Sequence, residues 1–258
     1  MRVLLNTPRA LVVHGRWQDV VPLLTQGVDV VLTDPPYSEH VQANIRSCNT
    51  TGAVKVRKWT CDFEPLTGFE HVPALLTLAR RWVLCFCALE QFGDYMLAAG
   101  GQRNAKHNKA GCYIRSWVWR KHQAAPQLSG DRPANSCEGI AVMHRPGKMR
   151  WNGRGSHAWT NLDKPATFSG AIDNCCEFGR DRNGEKVHEA QKPASLCEHL
   201  VCKFSEPREI VFDPFCGSGA IPVAAVLLDR FVVACDEKER WAQHTADRLA
   251  AIPGTVIP

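Results

Sequence analysis

Two short runs in this chain combine residue types that could do chemistry. The first, Asp34-Pro35-Pro36-Tyr37, sets a carboxylate, two consecutive prolines and an aromatic hydroxyl side by side. An amine conjugated to a heteroaromatic ring is a weak nucleophile, because its lone pair is delocalised. An acceptor on each N–H draws the nitrogen toward sp³ and frees that pair. The Asp34 carboxylate can accept one such hydrogen bond and the Pro35 carbonyl the other, while proline rings hold that carbonyl still. Tyr37 can stack on the ring that carries the amine. Asp34, Pro35, Pro36 and Tyr37 are therefore the candidate catalytic group.

The second run is Asp213-Pro214-Phe215-Cys216-Gly217-Ser218-Gly219. Its two glycines let the backbone pass close to a ligand, and a following helix would point its first amides at that ligand. Asp236 comes 17 residues after Gly219, at the end of another apolar run, where a carboxylate can accept both ribose hydroxyls. The turn is neither Gly-x-Gly-x-x-Gly nor a phosphate loop with its lysine, so a nucleoside cofactor without phosphate, S-adenosylmethionine, fits better than NAD or ATP. Asp213 through Gly219, Asp236 and its neighbour Glu237 form the expected cofactor site, with Asp34 at its border.

Both runs follow apolar β-branched segments. Val28 to Thr33 leads into the first and Glu209 to Phe212 into the second, as buried parallel strands do. Further strands are expected at Ala10–His14, Trp82–Cys87, Tyr113–Trp119, Gly139–His144 and Phe231–Cys235. Helices are expected at Trp17–Leu24, Phe69–Ala79, Gln91–Ala99 with a glycine cap at Gly100-Gly101, Ser195–Phe204, Ile221–Leu228 and Glu239–Ala250. Ser38 to Thr60 is polar and reads as a loop over a site, and Pro126 to Pro133 as a turn. Hydrophobic periodicity fails from Arg145 to Glu189, which reads as an insertion. Strands alternating with helices imply an α/β fold with a mainly parallel sheet, in which ligands bind outside the carboxyl ends of the strands.

The net charge of +5 is unevenly spread. Gln102 to Arg154 carries eleven Lys/Arg against Asp131 and Glu138, about +9, which leaves the rest of the chain near −4. His107, His122, His144, Trp117, Trp119 and Trp151 are interleaved with those cations, a pattern suited to phosphates and to bases that need flat apolar faces. Lys106, Lys109, Arg132, Arg150 and Arg154 are the candidate DNA contacts. The twelve cysteines include no Cys-x-x-Cys pair. Cys85, Cys87, Cys216 and Cys235 lie in or beside apolar runs, where a free thiol behaves as a small hydrophobe. No metal is expected, Cys197, His199 and Cys202 being the nearest approach to a ligand cluster. No apolar run approaches a membrane span, the first residues do not make a signal peptide, and a reduced, cytoplasmic protein is expected.

Asp34-Pro35-Pro36-Tyr37 leading, then the basic insert, then Gln191-Lys192-Pro193 and finally Phe215-x-Gly217-x-Gly219, resembles the order of motifs in the β class of DNA amino-methyltransferases. Thr33 to His40 and Gly130-Asp131-Arg132-Pro133 are similar to solitary or phage-borne members. Cys216, Ala220-Ile221 and Asp236 stand where that class has Ala, Thr-Thr and more often Glu. The resemblance implies a Rossmann-like methyltransferase domain over residues 1–258, with a seven-stranded, mainly parallel sheet, helices on both faces and circularly permuted motifs. It implies a target-recognition insert at 146–190, and Lys192 enclosing the methionine part of S-adenosylmethionine. The implied activity is methylation of adenine N6, on a base flipped out of double-stranded DNA. Cytosine N4 is the alternative within the class, and a catalytically inactive DNA-binding module the alternative outside it. Relatives often dimerise, which makes a homodimer one expectation.

Overall fold

The computed structural model describes residues 1–37, 65–66, 68–104, 106–121, 136–152, 158–160 (backbone) and 191–255. The expected loop at Ser38–Thr60, the turn at Pro126–Pro133, Arg132, Arg154 and most of the insert at 146–190 lie outside the described residues.

Among the described residues nine strands form one sheet: β1 Arg2–Asn6, β2 Ala10–His14, β3 Val28–Thr33, β4 Ala79–Cys87, β5 Tyr113–Arg120, β6 Cys137–Met143, β7 Ala158–Thr160, β8 Ile210–Asp213 and β9 Phe231–Asp236. Their spatial order is β1-β2-β9-β8-β3-β4-β6-β5-β7. Strands β2, β9, β8, β3 and β4 run parallel, and β6 lies antiparallel to both β4 and β5. The expected seven strands are the stretch from β2 to β5. The two additions are the edge strands, β1 paired antiparallel with β2 and the three-residue β7 beside β5. β1 escapes a reading by buried runs because it is mostly exposed, and only its pairing with β2 makes it a strand.

Among the described residues six helices connect the strands: α1 Trp17–Val20, α2 His71–Leu78, α3 Phe92–Ala98, α4 Ala194–Phe204, α5 Ala220–Leu227 and α6 Glu239–Ala250. Pro22 interrupts the first expected helix, whose second half is the tighter 3₁₀ turn Val21–Leu23. The expected glycine cap is present, with Gly100 and Gly101 both in the left-handed region at φ 72° and 92°.

Successive side chains of a strand face opposite sides of the sheet, and β4 divides accordingly. Trp82, Leu84 and Phe86 pack toward α4, α5 and α6, with Leu196, Leu200, Ala224, Ala246 and Leu249. Val83, Cys85 and Cys87 pack toward α2 and α3, with Val72, Leu75 and Tyr95. A strand buried on both faces must be apolar throughout. Chain connections leave β3 and β8 in opposite directions across the sheet, β3 toward β4 and β8 toward β9. Their shared boundary is the switch point where such folds leave a crevice.

Candidate active site

The crevice lies between the carboxyl ends of β3 and β8, and its floor is a hydrogen bond. Thr33 Oγ1 donates to Asp213 Oδ1 at 2.7 Å, and the amide of Phe215 donates to the same oxygen at 3.2 Å. Asp213 thus ties the two strand ends together from beneath the ligand space. Burial pushes its carboxyl up to about 7, against those two hydrogen bonds.

The chain after β8 turns through Gly217 and Gly219, both left-handed at φ 48° and 78°. A Cβ at Gly219 would stand 2.8 Å from Thr245 Oγ1 of α6, so glycine there is required by packing as well as by backbone conformation. Thr245 Oγ1 donates to the Gly217 carbonyl at 3.0 Å, and an Arg248 guanidinium donates to the Ser218 carbonyl. α6 therefore clasps the turn from behind. Asp236 stands in front of it, accepting the Gly217 amide on Oδ2 and the Lys238 amide on Oδ1, each at 2.9 Å. Each oxygen keeps a second lone pair for a ligand hydroxyl. Glu237 beside it is exposed, and its carbonyl faces His14 Nε2 at 3.2 Å. Pro214 and Cys216 are buried under the turn, where the Cys216 amide donates to the Cys235 carbonyl at 3.0 Å. The arrangement fits a nucleoside cofactor: an open backbone cradle with one carboxylate, Asp236, hydrogen-bonded to its Gly217 amide.

Across the crevice Asp34 is partly buried, with its Oδ2 on Lys192 Nζ at 2.5 Å. Its Oδ1 is buried and has no hydrogen-bond partner among the described residues. An unpartnered buried acceptor is costly unless something arrives to use it. Burial raises the Asp34 carboxyl above its ordinary value, and the Lys192 ammonium pulls against that. Pro35 is buried and Pro36 and Tyr37 are partly buried. Lys192 is nearly enclosed, 4.9 Å from the Phe86 ring centre and 5.7 Å from that of Tyr37. Lys192, expected at the cofactor, has its ammonium on the Asp34 carboxylate.

A residue not anticipated from the sequence completes this group. Glu138 of β6 accepts from the Tyr37 hydroxyl at 3.1 Å on Oε2, where Lys192 Nζ also lies at 3.3 Å, and its Oε1 pairs with Lys121. Although burial opposes its ionisation, the two ammoniums bring it down to about 2. As one of two acids in a basic stretch it read as incidental. The available signal was that β6 is antiparallel to β4, so its first residues lie level with the last ones of β4. On the other wall, buried His71 faces Tyr95 Oη at 3.3 Å and Phe215 at 6.1 Å between ring centres, and burial lowers it to about 4.

The basic stretch is divided by the fold. Tyr113, the first residue of β5, is level with Met143 and through it with Val83, midway along β4, and β5 runs in the same direction as β4. The loop holding exposed Lys106 and Lys109 therefore enters at the amino-terminal edge of the sheet, opposite the crevice. Arg150 lies at that same edge: its guanidinium pairs with Glu206 at 3.1 Å, and its carbonyl accepts Trp82 Nε1 at 2.7 Å. These three expected DNA contacts do not converge on the crevice. Two of the three tryptophans expected to stack on bases, Trp117 and Trp119, are core residues at 5% and 1% exposure, and His144 is buried against Trp82. Cys85, Cys87, Cys216 and Cys235 are buried free thiols. Among the described residues no three His, Cys, Asp or Glu side chains are grouped to hold a metal ion, and no helix is long and apolar enough to cross a membrane.

The type II methyltransferase M.HinfI of Haemophilus influenzae is 21% identical over 237 residues, 88% of this chain, which spans 64% of that relative's length. The crystal structure of the M1.HpyAVI–SAM complex shares the fold with a TM-score of 0.61 at 18% identity, over 93% of this chain and 98% of that one. The cytosine-N4-specific PvuII DNA methyltransferase does so equally, TM-score 0.61 at 13% identity, over 98% of this chain and 89% of that one. The sequence profile of the family N6_N4_Mtase, DNA methylase, matches residues 28–247, so it takes in the Asp34 run, Glu138, Lys192, the glycine turn and Asp236 together. The chain belongs to this DNA methylase family.

Proposed function

We propose that this protein methylates the N6 amine of adenine in double-stranded DNA, with S-adenosylmethionine as methyl donor. The observation that carries the reading is the buried Asp34 Oδ1 at the carboxyl end of β3, unpartnered among the described residues. Asp34 Oδ1 accepts one N–H of the target amine and the Pro35 carbonyl the other, which localises the nitrogen lone pair. Tyr37 stacks on the flipped base, its hydroxyl anchored on Glu138. When bound, the cofactor supplies a sulfonium methyl, an electrophile that needs no further activation. The residues of the crevice contribute position and a fixed electrostatic field. Asp236 and the amides of the glycine turn hold the nucleoside part, and Asp34 is the acceptor on the path by which the amine's proton leaves.

In the class that these motifs resemble, Asp rather than Ser at the first motif position, here Asp34, leans toward adenine. The relation in fold to a cytosine-N4 enzyme makes N4-methylcytosine the competing product. Mass spectrometry of nucleosides from duplex DNA incubated with the protein and S-adenosylmethionine should show N6-methyladenine. N4-methylcytosine alone would replace the base assignment, and neither product would overturn the reading. Mapping the modified positions would give the recognition sequence.

A further inference from the structure

We infer that Glu138 is a positioning residue for methyl transfer, one that holds the Lys192 ammonium and the Tyr37 hydroxyl in place so that Asp34 engages Lys192 through Oδ2 alone and keeps Oδ1 open for the amine. The inference rests on the proposed function of the same crevice.

The geometry is specific. Glu138 Oε2 faces two donors, Tyr37 Oη at 3.1 Å and Lys192 Nζ at 3.3 Å. The same ammonium reaches Asp34 Oδ2 at 2.5 Å. Lys192 has three N–H donors and no acceptor. Were Glu138 absent, nothing else among the described carboxylates would share the ammonium, and it could rotate to bridge both oxygens of Asp34. The acceptor that the amine needs would then be occupied. Were Lys121 absent, Glu138 would lose the cation on its Oε1 and draw harder on Lys192. Two acids and two ammoniums thus form a neutral set, in which each lysine has a defined carboxylate oxygen.

Topology explains why β6 carries this acid. The parallel strands end at the crevice, but β6 begins there, and Gly139 is level with Cys87 at the end of β4. A side chain at the second position of β6 therefore reaches the crevice from the side opposite β8. The Lys121 amide donates to the Ser136 carbonyl at 2.7 Å, which continues the β5–β6 ladder and brings both ends of the hairpin to the same place.

The ionisable groups facing Asp34 come from every neighbouring element: Lys192 before α4, Glu138 on β6, Lys121 after β5 and Asp213 on β8. The buried thiols Cys85 and Cys87 and the hydroxyls of Tyr37 and Tyr95 are neutral across the working range. Removing the Glu138 charge takes a like charge from Asp34, and removing Lys121 takes an opposite one.

The test is kcat against pH, with calorimetry of S-adenosylmethionine binding in parallel, for wild type, Glu138→Gln and Lys121→Met. For Glu138→Gln, kcat should fall at least tenfold while cofactor affinity stays within about twofold. Its acid limb should move to lower pH and that of Lys121→Met to higher pH, each by a few tenths to about one unit. A group with only a structural part would change thermal stability without moving the limbs in opposite directions. If both variants fold, bind cofactor and give wild-type pH profiles, the inference fails and the proposed function stands. If Glu138→Gln does not fold, a Lys121→Met limb that stays in place is enough to reject it. A wild-type protein that binds cofactor but methylates no DNA amine would overturn the function beneath it.

Discussion

In the proposed mechanism Asp34 does two jobs with one carboxylate, and the two oxygens divide them. Oδ2 neutralises a buried lysine, and Oδ1 waits for a donor. Asp34→Ala should therefore remove catalysis by about 10²–10³-fold, the range seen when one pre-organised polar contact to a reacting group is deleted. Glu138 remains for Lys192, so the fold should survive, and calorimetry should find S-adenosylmethionine affinity nearly unchanged. Retention of a tenth of wild-type turnover would be incompatible with that role. Asp213 is the contrasting acid, buried for structure. Its carboxyl is raised to about 7 in the folded protein against 3.8 for the free group. A raised folded value means that the native state holds a proton which the unfolded chain releases, so Asp213 costs stability as pH rises from about 4 through about 7. Asp213→Asn keeps an oxygen for Thr33 and Phe215 without that charge. Its melting temperature should match wild type below about pH 4 and exceed it by several degrees at pH 8, at about 2–4 °C per kcal/mol. A difference independent of pH would contradict the assignment.

At the scale of elements, the proposed cofactor site is a strand, a turn and a helix held from behind by another helix. The turn is left-handed at Gly219, and α6 comes so close that a methyl group there meets Thr245. Gly219→Ala should cost about 1–3 kcal/mol from strain at that backbone position and push the turn off α6. The expected outcome is a lower melting temperature together with at least tenfold weaker binding of S-adenosylmethionine by calorimetry, and turnover restored at saturating cofactor. Unchanged affinity would mean that the turn does not touch the ligand. Gly219→Asp, with a charge added, should abolish binding, but the first contact it breaks is with α6.

For the whole molecule, the sheet decides which cations can meet DNA at the crevice. Lys106 and Lys109 enter at the amino-terminal edge, whereas exposed Arg120, at the last position of β5, lies at the carboxyl edge beside Lys121. The salt dependence of binding to arbitrary duplex counts the phosphates neutralised. Arg120→Ala should lower the slope of log K against log salt by about one, and the double change Lys106→Ala, Lys109→Ala should leave it unaltered along with the methylated sequence. The reverse result would put the DNA on the other edge and break the link between binding face and crevice.

The two turns were legible in the linear sequence because they are local. Asp34 to Tyr37 and Asp213 to Gly219 each follow a strand that periodicity identifies, and a strand's carboxyl end is where such a turn must act. The central strands were legible for the same reason: burial on both faces leaves continuous apolar runs in β3, β4 and β8. What required the tertiary structure was every relation across the sheet. Glu138 stands 104 positions from Asp34 in sequence, and only the antiparallel insertion of β6 beside β4 brings them together. Lys192 reads as a helix start and becomes the partner of the Asp34 carboxylate. The basic stretch reads as one patch, yet β5 and β6 cross the sheet and deliver its ends to opposite edges, with Trp117 and Trp119 buried between them. A linear charge count has no knowledge of strand direction, and strand direction is what separates a cation at the crevice from one on the far side of the molecule.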